Sequence, residues 1–320
     1  MGLIDTLSAG FDRTAKRLWL ILIPVLLDLG VWLGPRLSLN GLMQSAIRLL
    51  PDGTELGTQY AQAIELSRSW LAEVGQTTNL LTLLSMRVLG LPGLSGSLVP
   101  PAAPATMIQR TIDIQSGLAA LGVMLLLLFL GLLVGCGTLS LMAADARDGQ
   151  LSPGYALGVA WRSWVRLTFL LSGTAVLVFG VVVGASMIAG LIGVVSMQLA
   201  AWILTFLAWT LIILSIYGGL LFYFTSRAVI LDDKGLLSSM RSALHVLQRN
   251  LMASLGFILI VNLLHVGLLY IWRLLAVNTI GMIAAIVGNA YVNTGLVMAS
   301  FIFYRERLVA TQNAAPKKVS

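Results

Sequence analysis

The chain has 320 residues, of which 58% are hydrophobic and only 10% charged, with a net charge of +7 and a mean hydropathy of +0.92. Soluble domains carry about 25% charged residues, so there is too little polar surface here to coat a water-soluble body, and lipid must be one of the solvents. The same numbers exclude a disordered chain, a coiled coil and a disulfide scaffold, Cys136 being the only cysteine.

A spanning helix needs about 20 mainly apolar residues. Six stretches qualify or come close: 18–34, 117–143, 165–192, 199–225, 251–276 and 280–304. Their apolar residues run continuously instead of alternating, which favours helices over a barrel. The expected fold is therefore all-α: a single polytopic domain of six transmembrane helices, interfacial amphipathic helices and a helical extracytoplasmic cap.

In chain order, residues 1–17 place Leu3, Ile4, Leu7 and Phe11 on one face, continued by Leu18, the pattern of an interfacial helix. The first span, 18–34, is the shortest and contains Pro24 and Asp28. Asp5 and Asp12 precede it and no small-x-small site follows before Arg36, so it reads as a retained span instead of a cleaved leader. Residues 35–116 form the cap. Stretches 39–50 and 56–89 have helical periodicity, with Leu56, Tyr60, Ile64, Leu71 and Val74 near the 3.6 spacing. Pro92, Pro100, Pro101 and Pro104 then break the helix before the second span. Acidic and basic residues balance within this loop, so no charge steering is expected there. Spans three and four, and five and six, form tight hairpins turning near Ser196–Gln198 and Val277–Thr279.

Fourteen of the 20 Lys and Arg residues lie before span one, between spans two and three, between spans four and five, and after span six. By the positive-inside rule both termini face the cytoplasm. Residues 226–250 include an amphipathic stretch with Leu236, Leu237, Met240, Ala243, Leu244 and Leu247 on one face. Ser238, Arg241, Ser242, His245 and Arg249 occupy the other. The approaches Gly2…Arg17, Gly149…Arg162 and Gly235…Arg249 look alike. They read either as three copies of an interfacial helix plus hairpin, or as the basic residues any polytopic protein places before inward-to-outward helices.

The stretch 227–262, RAVILDDKGLLSSMRSALHVLQRNLMASLGFILIVN, resembles the multi-pass membrane domain in front of some bacterial glycerophosphoryl diester phosphodiesterases, and its stand-alone relatives. The matching residues are Asp233, Gly235, Arg241, Arg249 and Asn250. The resemblance covers the second half of the chain. It implies six helices, cytoplasmic termini and a bacterial cell (inner) membrane. The soluble catalytic barrel is absent from this sequence, so the resemblance implies no phosphodiesterase activity.

Asp28 is the most expensive residue to insert, because a carboxylate near the bilayer midplane costs on the order of 3 kcal/mol. It must face the protein interior or a wet cavity, and serves either as an ion or proton site or as a structural tether for span one. Pro24 is expected to kink that helix by leaving the Leu20 carbonyl without its donor. Asn262, His265 and Arg273 project from roughly one face of span five, and Asn289 and Asn293 stand four residues apart on span six. If these faces converge with Asp28 they make a polar intramembrane seam; otherwise the asparagines are inter-helix glue. Gly131/Gly135, Gly180/Gly184, Ala189/Gly193, Ala284/Gly288 and Gly295/Ala299 are small-residue pairs suited to close helix packing, and offer faces for a protein partner or a second copy.

No HExxH, GxSxG or GxxxxGK[ST] motif occurs, and neither histidine has a second at ligand spacing, so no metal or cofactor is expected. Asp145 with Asp148, and Asp232 with Asp233, sit at turns and suit capping. Arg162, Arg166, Arg241 and Arg249, with the tail Lys317–Lys318, suit anionic lipid headgroups, while nucleic acid is a poor partner for cations spread along a membrane edge. The leading expectation is a non-enzymatic membrane protein, either a permease-like unit or a scaffold subunit. A permease requires the seam to be open; a scaffold requires it sealed, with an exposed apolar patch on the cap. The alternative is a lipid-modifying enzyme at the inner interface, gripping phosphate with those four arginines and using His245 as base.

Overall fold

A computed structural model describes residues 2–51, 58–85, 89, 91, 93–96, 110–148 and 153–313. The proline tract named above, Gly149 and Lys317–Lys318 lie outside them. In chain order the elements are α1 (Leu3–Lys16), a 3-10 turn (Leu18–Ile21), α2 (Leu22–Leu33), β1 (Arg36–Ser38), α3 (Asn40–Leu49), α4 (Thr58–Thr77) and a second 3-10 turn (Leu80–Leu84). Then come β2 (Thr111–Asp113), α5 (Gly117–Asp148), α6 (Pro153–Val195), α7 (Met197–Asp232), α8 (Leu236–Arg249), α9 (Leu251–Leu275) and α10 (Thr279–Asn313). Among the described residues the fold is all-α apart from a short parallel pair, in which Arg36, Leu37 and Ser38 stand beside Thr111, Ile112 and Asp113.

Among the described residues five helices, α5, α6, α7, α9 and α10, are long and apolar enough to cross a membrane. The first expected span differs from them. Residues 18–33 form a shorter apolar segment split between the 3-10 turn and α2. Pro24 occupies the first turn of α2, where its missing N–H is not needed and its fixed φ suits a helix start. The change from 3-10 turn to α-helix thus falls just before the proline.

Two compact units divide the chain. One comprises Met1–Ala9, Cys136–Ile258 and Met298–Ser320. In it α6 and α7 form a hairpin whose turn is capped by Ser196, its Oγ accepting the Leu199 N–H at 3.3 Å. At 43 and 36 residues these helices are about 64 and 54 Å long, roughly twice the hydrocarbon thickness. The stretch ahead of the third apolar run thus continues the spanning helix and is no separate interfacial element. Phe169, Phe179 and Ile188 on α6 and Phe206, Trp209 and Ile213 on α7 are exposed. The core of this unit is aromatic: Phe257 stacks on Phe303 with centroids 4.6 Å apart, and Phe224 lies 6.0 Å from Phe303.

α8 follows a left-handed cap at Asp233 (φ 48°). It buries Ser239, Ala243, Val246 and Leu247, while Leu237 is exposed. The buried stripe is thus rotated from the one that apolarity alone marks, because the small Ser239 fits where a leucine would hold the helix off.

The other unit comprises Gly10–Gly135 and Leu259–Val297. One of its clusters joins Leu39, Leu80, Ala120 and Leu127; another joins Trp32, Leu94, Met282, Ala285 and Ile286. Glycine permits several close approaches, three of them between separate helices and turns. A Cβ on Gly131 would meet the Leu83 carbonyl oxygen at 2.8 Å, one on Gly288 the Trp272 ring at 2.5 Å, and one on Gly295 the Phe11 ring at 2.5 Å. Gly180 and Gly184, by contrast, face open space on α6. The small-residue pairs therefore do not share one purpose.

Candidate functional site

The second unit contains a small cavity walled by both apolar and polar residues, and Asp28 is one of them. α2 is apolar around this residue, so its side chain turns inward and is 5% exposed. Oδ2 accepts the backbone N–H of Leu94 at 2.6 Å and Oδ1 that of Ser95 at 2.9 Å. The Ser95 hydroxyl donates to the Asp28 main-chain carbonyl at 3.0 Å. A turn of the cap, Gly93 to Gly96, is thereby drawn against α2, and Leu94 is buried beside Trp32 and Met282. This is what a buried carboxylate requires: charge-assisted hydrogen bonds are roughly twice as strong as neutral ones, and leaving such an acceptor unmatched is costly.

Asn289 and Asn293 lie one turn apart on α10, each 4% exposed, and the Asn293 amide donates to Asn289 Oδ1 at 3.0 Å. Together with Asp28, Ser85 and Gly93 they line a cavity of about 10 Å³, which is the room one water needs. The structure thus gathers three of the six seam residues. The other three are elsewhere on α9: Asn262 and Arg273 are exposed, His265 is half-buried, and none lines the cavity. Arg273 sits in the last turn of α9, where a cation suits the helix dipole.

A second polar group lies in the first unit, at the base of the α6–α7 hairpin. Arg162 Nε and Nη2 donate to the two Asp233 oxygens at 3.2 and 2.5 Å, and Arg166 Nη1 donates to Oδ1 at 3.0 Å. Partial burial raises the Asp233 pKa, but the two guanidinium groups more than offset this and hold it below the ordinary carboxylate value. Arg241, His245 and Arg249 are exposed on α8, with Arg249 reaching the Thr311 carbonyl at 3.4 Å. The four arginines therefore form no single phosphate-gripping cluster: two clasp an aspartate and two stand on another helix.

Two features have no counterpart in the sequence reading. The Gly93–Gly96 turn is the partner of Asp28, and the pattern Gly-Leu-Ser-Gly is its one local signal. Arg227, counted above among the loop cations, is fully buried in α7. Its Nε donates to Ser300 Oγ at 2.8 Å, and its guanidinium lies over the Tyr223 and Phe301 rings at 4.5 and 5.4 Å, contacts that replace part of the lost hydration. Among the described residues no three His, Cys, Asp or Glu side chains gather as metal ligands.

Five helices long and apolar enough to cross a membrane, with many large apolar side chains on their exposed faces, define an integral, multi-pass membrane protein. Compared with family models, curated proteins and solved structures, the chain matches none.

Proposed function

We propose that the chain is a non-enzymatic membrane scaffold subunit, sealed to solutes, in which Asp28 anchors the extracytoplasmic cap to the first membrane segment. The observation that carries this reading is the engagement of both Asp28 oxygens by Leu94 and Ser95 N–H groups beside a cavity of about 10 Å³. A permeation path needs a continuous polar route, and α9 contributes none of its polar residues to this one. The cap supports the same reading. α3 and α4 pack together and leave Leu49, Leu66 and Trp70 exposed, 85%, 71% and 60% respectively, apolar side chains suited to contact with a protein partner.

The 3-10 turn and α2 together extend about 26 Å, at roughly 2.0 and 1.5 Å per residue, a few Å short of the hydrocarbon core. Modest local thinning brings this segment across. Counting it, the helix number is even and both termini lie in the cytoplasm, with Arg162, Arg166, Arg241 and Arg249 toward anionic headgroups. The shared Asp-Gly-amphipathic pattern supports kinship with the membrane domain of the bacterial phosphodiesterases and a bacterial cell membrane.

The test is reconstitution into dye-loaded vesicles, paired with photo-crosslinking from position 70 in cells. The proposal expects proton and salt leak equal to that of protein-free vesicles, and a discrete protein adduct at position 70. Protein-dependent flux that disappears in Asp28→Asn contradicts it.

A further inference from the structure

The α6–α7 hairpin is closed at both ends and open in its middle. Toward the turn Ala189 and Ala200 are buried, and a Cβ on Gly193 would lie 3.6 Å from that of Ala200. At the base Arg162 and Arg166 hold Asp233. In between, every residue of α6 from 172 to 180 is exposed, and so is every residue of α7 from 212 to 219. At 3.6 residues per turn, eight or nine successive residues point in all directions around the axis, so at this level neither helix covers any side of the other. The two stretches stand opposite one another, the near edge of each being 16 residues from Ser196 at the turn. The half-buried stripes Val182 and Ala185 on α6, and Ile203, Leu207 and Leu211 on α7, continue at helical steps to Ala175 and Val178 and to Leu214 and Gly218. Those four line the opening. Only Leu214 is long, and a Cβ on Gly218 would meet nothing within 4 Å.

An unfilled gap forfeits the dispersion contacts of both walls, and these walls call for hydrocarbon. A third helix does not fit. It would part α6 and α7 by a further 8–10 Å, the usual spacing of packed helices. Both helices are unbroken, the opening is about 13 Å tall at 1.5 Å per residue, and helices curve with radii of about 60–100 Å, too gently to make that room. The occupant is slender.

The base of the hairpin supplies the other half of a lipid's chemistry. The Arg162 and Lys234 side chains are 47% and 49% exposed, and together with Arg166, Asp232 and Asp233 they leave one net positive charge. Trp161, exposed beside Arg162 in the chain, belongs to the residue type that gathers at headgroup level. The opening runs from about 9 Å above Arg166 to about 27 Å above Arg162, and one leaflet with its headgroups is about 20–22 Å deep. A chain that hangs from a headgroup at this level enters the opening along its distal half.

We propose that the open middle of the α6–α7 hairpin is a binding site for one acyl chain of an anionic phospholipid, whose phosphate lies against Arg162 and Lys234. The inference rests on the headgroup level assigned to Arg162 above and names the ligand that this level serves. The lipid acts as a filler that keeps the two long helices in register.

The experiment places the purified full chain in phosphatidylcholine vesicles doped with a phosphatidylglycerol that carries a photoactivatable diazirine near the end of one acyl chain, and maps the adducts. The proposal expects adducts concentrated at 172–180 and 212–219, above their density at the equally exposed Leu259, Leu263 and Leu274 of α9. Unlabelled phosphatidylglycerol should displace them at about fivefold lower concentration than phosphatidylcholine, the preference one interfacial cation gives, and Arg162→Gln should abolish that preference. Filling the opening with Ala175→Leu and Gly218→Leu should remove these adducts and leave those on α9. A density no higher than on α9 overturns the proposal, as do adducts that survive the filling. Equal competition by the two lipids also overturns it, and with it the headgroup level of Arg162, whereas the sealed-scaffold reading stands or falls on the vesicle leak. In a Cys136→Ala background, a disulfide between copies through Val178→Cys overturns it too, with a second copy as occupant. The wild-type map needs no variant and decides the matter even if the filled protein does not fold.

Discussion

The position a Cβ would take on Gly93 is 2.8 Å from Oδ1 of Asp28 and 3.1 Å from Cβ of Ser85. Neither neighbour retreats cheaply, because the carboxylate is fixed by two backbone N–H groups and Ser85 by its bond to Thr82. Gly93→Ala is expected to destabilise the protein by about 1–3 kcal/mol, the usual cost of overpacking. Thermal unfolding in detergent measures it. Unchanged stability would mean that the turn does not approach Asp28 this closely.

The α9–α10 packing makes a paired prediction. Gly288→Ala drives a methyl group into the Trp272 ring, whereas Gly184→Ala meets open space on α6. The first is expected to cost about 1–3 kcal/mol. The second is expected to be neutral or slightly stabilising, as alanine is the better helix former by up to about 1 kcal/mol. Equal effects from the two would contradict the packing described.

Acid sensitivity follows from the clasp on Asp233. Its carboxyl titrates below its unfolded value because Arg162 and Arg166 outweigh the effect of burial. A lowered pKa contributes stability that is present above the unfolded value, near pH 4, and is lost as pH falls through the folded value. The melting temperatures of wild type and Asp233→Asn should therefore differ by a constant amount at neutral pH and converge in strong acid. A gap that persists at pH 2 would contradict this, as would one that first opens on acidification.

Much of this architecture was legible from hydrophobicity, which is a local property. The runs at 117–143, 199–225 and 280–304 contain no break signal, and α5, α7 and α10 cover them. Residues 18–33 are split between a 3-10 turn and α2, a division that apolar length alone does not reveal. Periodicity misled at Ser239, because a small polar side chain buried between helices looks like a surface one. The site was half visible. Asp28, Asn289 and Asn293 are conspicuous as polar groups in apolar segments, and the structure gathers them. Leu94 and Ser95 were invisible, since they act through backbone N–H groups 66 and 67 residues away, and every residue except proline carries one. Arg227 was hidden by its position at the end of an apolar run, where an interfacial cation and a buried one look the same.

Membrane orientation can be read by labelling single cysteines. Cys136 is buried, so Ser67→Cys on α4 and Ser238→Cys on α8, both exposed positions, report through an impermeant thiol reagent on intact cells. The proposed topology expects Ser67→Cys to label before lysis and Ser238→Cys only after it. The reverse order would invert the orientation.

The most direct test of the sealed, anchored interior places the probe in the cavity. In a Cys136→Ala background, Asn293→Cys puts a thiol beside Asp28. Reconstituted protein is then treated with a membrane-impermeant thiosulfonate from each side in turn. The account predicts no modification from either face on the timescale that labels Ser67→Cys to completion. Rapid modification from one side, and protection when the Gly93–Gly96 turn is cross-linked to α2, would show a gated water path through this cavity and contradict the scaffold.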